Sequence, residues 1–280
     1  MRQFLFLLSM NIVYAQIPAL SFIALDKDTW KIVVCKNKKT CITIPTEQEP
    51  RTYDYDFETG NIIYIASDNS VRTILNHKEI EILKNKNDAY TQPSFIDNGK
   101  HIMLVQLIHR RSKKTRIIRA DLEGRNQKIL ILQASTDLHP SSTNGDDIYY
   151  TKTLCTEGCL NPKQEIWYKN VSMGNVEQLT LRNSISDQLS IDKENKILYF
   201  TSLSNHSYHI WQYQIQDATL KQLTFGDVID SYPSPYKEGV LFLRQIKGKT
   251  KIMKLNQNKE IKTLHFIPKY TKIRNLKVKK

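Results

Sequence analysis

Along most of this 280-residue chain, apolar residues come in short runs between polar turns, and the runs recur in groups of four. Three Pro-Ser steps, Pro93-Ser94, Pro140-Ser141 and Pro233-Ser234, set the period. The first gap is 47 residues (140 − 93) and the second 93 (233 − 140), so a further copy is expected near residue 187, where Leu189-Ser190 stands with Leu in place of Pro. Each anchor is followed by a polar turn (97–100, 144–147, 192–195, 236–239) and then by an apolar run: Ile102–Val105, Ile148–Tyr150, Ile197–Phe200 and Val240–Leu243. A third run (Ile117-Ile118, 166–168, 210–213, 252–255) and a fourth (128–130, 177–180, 221–224, 261–264) complete each unit. Four short runs rich in β-branched and aromatic residues per roughly 45 residues predict a four-stranded antiparallel sheet. No stretch longer than about ten residues has helical periodicity, so the fold class is all-β.

Two weaker copies come first. Tyr53-Asp54 stands at an anchor position ahead of 62–65, 71–75 and 80–83, while 21–25, 30–34 and 41–44 supply only three strands. The alternating tail Ile273–Val278 can be the fourth, so that one blade is built from both chain ends. The expectation is a six-bladed β-propeller of four-stranded antiparallel blades, its ring closed by the N- and C-terminal strands. The blades fall at 17–46 with 265–280, 49–83, 89–132, 136–180, 185–224 and 229–264. Residues 16–280 form this one domain, giving about 44 residues per blade (265 over six).

The blade motifs carry a family resemblance. Asp230-Ser231-Tyr232-Pro233-Ser234-Pro235 followed by Val240–Leu243 resembles the repeat of TolB-type propellers, as do the strand endings Gln222-Leu223-Thr224 and Gln178-Leu179-Thr180 and the strand and turn 117–124. The likeness covers roughly residues 49 to 264 and specifies fold better than function. It implies a non-catalytic envelope protein that contacts other envelope proteins. TolB proper also carries an α/β domain that these 280 residues do not accommodate, so a lone propeller or paralogue is expected. The Asp before the anchor is present as Asp137 and Asp230, displaced by one as Asp187, and replaced by Ala89-Tyr90 before Pro93.

The first residues change the picture of compartment. Arg2, the apolar stretch 4–10 and Val13-Tyr14-Ala15 outline a secretory signal over 1–15, cut before Gln16. No cysteine follows the cut, which argues against a lipid anchor. The cysteines form two local pairs, Cys35 with Cys41 and Cys155 with Cys159, which favour two disulfides in a periplasm-like compartment. The alternative, one zinc held by all four, has poor ligand spacing.

Composition is ordinary for a globular protein, at 40% hydrophobic and 25% charged residues, but Lys+Arg 41 against Asp+Glu 28 gives a formal charge of +13. The basic residues concentrate in the loop carrying Arg110, Arg111, Lys113, Lys114 and Arg116, in the tail with Lys277, Lys279 and Lys280, and in Lys36, Lys38 and Lys39. The first two groups are the candidate partner-binding loops, suited to acidic protein surfaces or to anionic cell-wall or lipid surfaces. The export signal and the lack of a base-stacking motif argue against nucleic acid.

There is no nucleophile elbow, H-E-x-x-H, Walker loop or dinucleotide fingerprint. Neither a catalytic residue, a cofactor nor a metal is therefore assigned. The seven histidines occupy non-equivalent repeat positions, with His139, His206 and His209 the best placed for a site. Asp137, Asp187 and Asp230 are expected to cap turns through backbone hydrogen bonds, and Trp167 and Trp211 to pack between adjacent blades. The sequence thus favours a protein–protein interaction scaffold of a bacterial envelope complex, Tol-like or belonging to a secretion system, as a monomer or a subunit of a larger assembly. The alternative is a periplasmic propeller that binds or cleaves glycans from a site on the central channel.

Overall fold

A computed structural model of the chain describes residues 18–37, 40–84, 87–108, 114–133, 135–142, 144–154, 162–265 and 270–279. The signal segment 1–15, Cys155, Cys159, Arg110, Arg111, Lys113 and Lys280 lie outside these residues.

Every regular element among the described residues is a β-strand. Blade I contains β1 (Leu20–Asp26), β2 (Thr29–Cys35) and β3 (Cys41–Ile44). Blade II contains β4 (Pro50–Tyr55), β5 (Ile62–Ala66), β6 (Val71–Leu75) and β7 (Lys78–Leu83). Blade III is β8 (Ala89–Ile96), β9 (His101–Leu107), β10 (Thr115–Asp121) and β11 (Lys128–Leu132). Blade IV is β12 (Thr136–Ser142), β13 (Asp147–Thr153), β14 (Gln164–Asn170) and β15 (Val176–Gln178). Blade V is β16 (Ser186–Asp192), β17 (Ile197–Ser204), β18 (Ser207–Gln214) and β19 (Thr219–Gln222). Blade VI is β20 (Ile229–Tyr236), β21 (Gly239–Ile246), β22 (Lys249–Asn256) and β23 (Ile261–Leu264). The last strand, β24 (Ile273–Val278), returns to blade I and pairs antiparallel with β1, giving the order β24-β1-β2-β3. The ring is therefore closed by both chain ends, and the tail takes the innermost place that β4, β8, β12, β16 and β20 hold in the other blades.

Packing follows from the patterning. A second strand such as Ile102–Val105 is apolar at every position because both sheet faces are covered, each by a neighbouring blade. The core is accordingly split into six clusters, each between two adjacent blades. Trp167 joins the cluster between blades III and IV, and Trp211 the one between IV and V. Cys35 and Cys41 are registered opposite each other on β2 and β3 and are joined by a disulfide, which removes them from the zinc reading.

Strand direction gives the disc two faces. Each innermost strand starts on one face, which also carries the hairpins between the second and third strands and the connections between blades; we term this the connector face. The opposite, turn face carries the other hairpins.

Candidate functional site

The innermost strands are not regular. In blades III to VI the register slips between Thr91 and Ser94, Leu138 and Ser141, Asp187 and Ser190, and Ser231 and Ser234. The first extra residue of each bulge is left-handed: Gln92, His139, Gln188 and Tyr232 have φ of 50°, 49°, 52° and 51°, and Asn275 in β24 has 54°. Such backbone is costly for non-glycine residues and persists only where surrounding contacts enforce it. Here the enforcing contacts run from blade to blade around the axis. Gln92 Oε1 accepts the His139 backbone N–H at 2.6 Å, and Gln188 Oε1 accepts that of Tyr232 at 2.7 Å. The Asp187 carboxylate of blade V lies against His139 Nδ1. Asp54 accepts the Phe95 N–H at 2.8 Å, and Arg274 reaches the Pro50 carbonyl at 3.1 Å.

Toward the connector face lies a belt of buried polar groups. Asp230, fully buried, holds Arg244 through two hydrogen bonds of 2.7 and 2.8 Å, and the two are registered opposite each other on β20 and β21. His209 stands near this pair; burial holds its pKa below the ordinary value, Asp230 opposing and Arg244 adding. Asp137 accepts the Ser135 hydroxyl at 2.9 Å, while the Thr115 hydroxyl accepts the Asp137 N–H at 2.7 Å. Burial pushes the Asp137 carboxyl up, against the Ser135 hydrogen bond and the charge of Lys152. The expected turn caps are thus corrected: Asp137, Asp187 and Asp230 bind side chains, because each lies within a strand and faces its neighbours rather than a turn. All three tryptophans carry a cation over the ring: Arg182 3.4 Å from Trp211, Arg274 4.0 Å from Trp30 and Lys152 4.4 Å from Trp167.

The chemistry of this arrangement is restrained. His139 has a carboxylate at Nδ1 and the Gln92 amide nitrogen 2.7 Å from Nε2. Both ring nitrogens thus face side chains of the neighbouring blades III and V. Among the described residues no three His, Cys, Asp or Glu side chains are grouped to hold a metal.

The basic candidates do not converge. Lys114 and Arg116 lie at the connector face, with Arg116 3.8 Å from Asp88. Lys277 and Lys279 end β24 on the turn face, 3.0 Å from Asp54 and 3.2 Å from Glu58. What the connector face does expose is apolar: Leu132, Leu154, Ile229, Phe225 (66% exposed) and Leu181 (74%). Of these bulge residues the sequence pointed to His139, whereas Gln92, Gln188 and Tyr232 stood unmarked. Their signal was a large polar side chain immediately before each Pro-Ser or Leu-Ser anchor, one residue after Asp187 and two after Asp137 and Asp230.

No family model and no curated protein matches the chain. Solved structures do. TolB from Acinetobacter baumannii superposes with a TM-score of 0.72 at 14% identity, over 93% of this chain and 66% of that one. A TolB-type structure from Agrobacterium tumefaciens gives 0.66 at 10%, over 89% and 88%. An oligogalacturonate lyase in complex with manganese gives 0.60 at 10%, over 90% and 74%. In fold, the chain is a six-bladed propeller of the kind seen in TolB proteins.

Proposed function

We propose that this protein is a non-catalytic, exported propeller that serves as a protein–protein interaction scaffold in a bacterial envelope complex, either Tol-like or part of a secretion system. The observation that carries this reading is the connector face, where exposed Leu132, Leu154, Leu181 and Phe225 share one rim with the basic residues Lys114 and Arg116. Exposed apolar groups bordered by charge are the usual mark of a protein-binding surface. Arg110, Arg111 and Lys113 extend the basic run in sequence; Lys277 and Lys279 form a second basic set on the other side of the disc, which Lys280 extends in sequence. The partners are envelope proteins; an anionic cell-wall or lipid surface is a further candidate. The Cys35–Cys41 disulfide supports periplasmic residence after removal of residues 1–15.

In vivo cross-linking followed by affinity capture tests the proposal. A reproducible envelope partner, lost in the Leu154→Asp/Leu181→Asp double variant while thermal unfolding stays cooperative, is the expected result. Recovery of no partner by the unsubstituted protein, or of the same partner by the double variant, overturns it. A second reading, a glycan-binding propeller, is supported by a polar cleft between blades V and VI.

A further inference from the structure

Strand β18 and the turn after it read Gln212-Tyr213-Gln214-Ile215-Gln216, an alternation that puts Gln212 and Gln214 on the sheet face turned toward blade VI. Tyr199 and Lys221 share that face, registered opposite Gln212 on either side. Blade IV shows what this position otherwise does. There Tyr168 stands opposite Tyr149, ring centroids 5.2 Å apart, and both pack into the interface with blade V. In blade V the second ring is replaced by the shorter amide of Gln212, and the interface with blade VI opens into a cleft of about 900 Å³.

The lining has a definite chemical character. Seven of its side chains are Asn or Gln amides, including Gln257 and Asn256 from blade VI, with Tyr199, Tyr236 and the exposed ring of Phe225 among the rest. The side chains of Gln212, Gln216 and Gln257 make no hydrogen bond to other described residues, although each carries two donors and an acceptor. Lys221, Lys237 and Lys259 line the cleft with no ion pair to another described residue, and the single carboxylate among the described lining residues, Asp192, is bound by Asn195 through its backbone and side-chain N–H groups at 3.1 and 2.9 Å.

We propose that this cleft between blades V and VI binds an oligosaccharide bearing carboxylate groups. Amides that donate and accept in pairs match vicinal hydroxyls, the exposed ring of Phe225 offers a face to the C–H side of a pyranose, and the three lysines select for acidic sugars. An extended peptide fits less well, since recognition of its backbone calls for an open strand edge and regularly spaced apolar pockets, whereas this floor is set by amides on a sheet face. The volume lies toward the upper end of the roughly 300–1,000 Å³ typical of ligand sites, enough for more than one sugar unit.

The test is NMR titration of the full-length mature protein with an alginate hexasaccharide, its carboxyl-reduced form and an acidic hexapeptide. Side-chain amide signals of Gln212, Gln214 and Gln257 should shift with the alginate fragment, and affinity should fall at least tenfold in Gln212→Leu/Gln214→Leu. It should fall severalfold in Lys259→Ala, an exposed substitution with no role in packing, and with the carboxyl-reduced sugar. Shifts confined to the connector face or channel, unchanged affinity in both variants, or equal binding of the acidic peptide would overturn the assignment. Both variants should still capture the envelope partner, so failure here and failure of the scaffold reading are separately visible.

Discussion

Asp230 and Arg244 show most directly how a single residue matters in this molecule. A doubly hydrogen-bonded ion pair with its carboxylate fully buried tolerates removal of neither member alone, because the survivor is left charged without a partner. Asp230→Ala should cost about 3–5 kcal/mol in urea unfolding, whereas the Asp230→Leu/Arg244→Met pair should recover most of that loss. His209 makes the protein sensitive to mild acid. Its folded pKa is depressed, so the unfolded chain binds the proton more readily. The stability it contributes is complete above about pH 6.5 and is lost as the pH falls from there through the folded pKa. Unfolding at pH 7.5 and 5.0 should show a drop in stability that His209→Gln reduces. Asp137 has the opposite sign: its raised pKa penalises the ionised form, so Asp137→Asn should leave stability at pH 7 equal or higher.

At the scale of strands and turns, the controlling features are backbone ones. Gly239 opens β21 with φ of 146°, and a Cβ there would lie 2.1 Å from the Leu255 carbonyl oxygen of the paired strand. Since that neighbour is backbone in a registered ladder, it cannot move aside. Gly239→Ala should therefore destabilise by about 3 kcal/mol, measurable as a lower urea midpoint, and should disturb the Tyr236 wall of the cleft. The bulges of the innermost strands are a second such feature. They are built into successive blades at one position, so the left-handed residue is part of the architecture, while the side chain placed on it (Gln, His or Tyr) is what varies from blade to blade. The anchor spacing was readable because each anchor is a local signal; the bulge before it was not, since it depends on how the inner strand meets its partner.

For the molecule as a whole, stability rests on closure. Six interfaces in a ring leave no terminal blade, provided that β24 covers the inner edge of β1. Deleting residues 273–280 should expose that edge and the blade VI–blade I cluster, replacing a cooperative thermal transition by a broad one, with self-association seen in size-exclusion chromatography. Conversely, Lys279 N–H lies 2.8 Å from the Ala19 carbonyl. A circular permutant joined there and opened between β3 and β4 should melt cooperatively near the original temperature.

The division between what was legible in the sequence and what was not follows from the range of the forces involved. Strand number, blade number, the two-ended first blade and the Cys35–Cys41 pairing were all present in the chain, since alternation, turn residues and repeat spacing act over a few neighbours. Other matters were settled only once the blades stood side by side. These include the innermost place of β24, the meeting of His139 with Asp187, the two faces separating Arg116 from Lys277, and the cleft opened by Gln212 where blade IV has Tyr168. Repeat periodicity assigns each residue its place within a blade, but the partner it meets belongs to the adjacent blade, and only packing around the closed ring brings the two together.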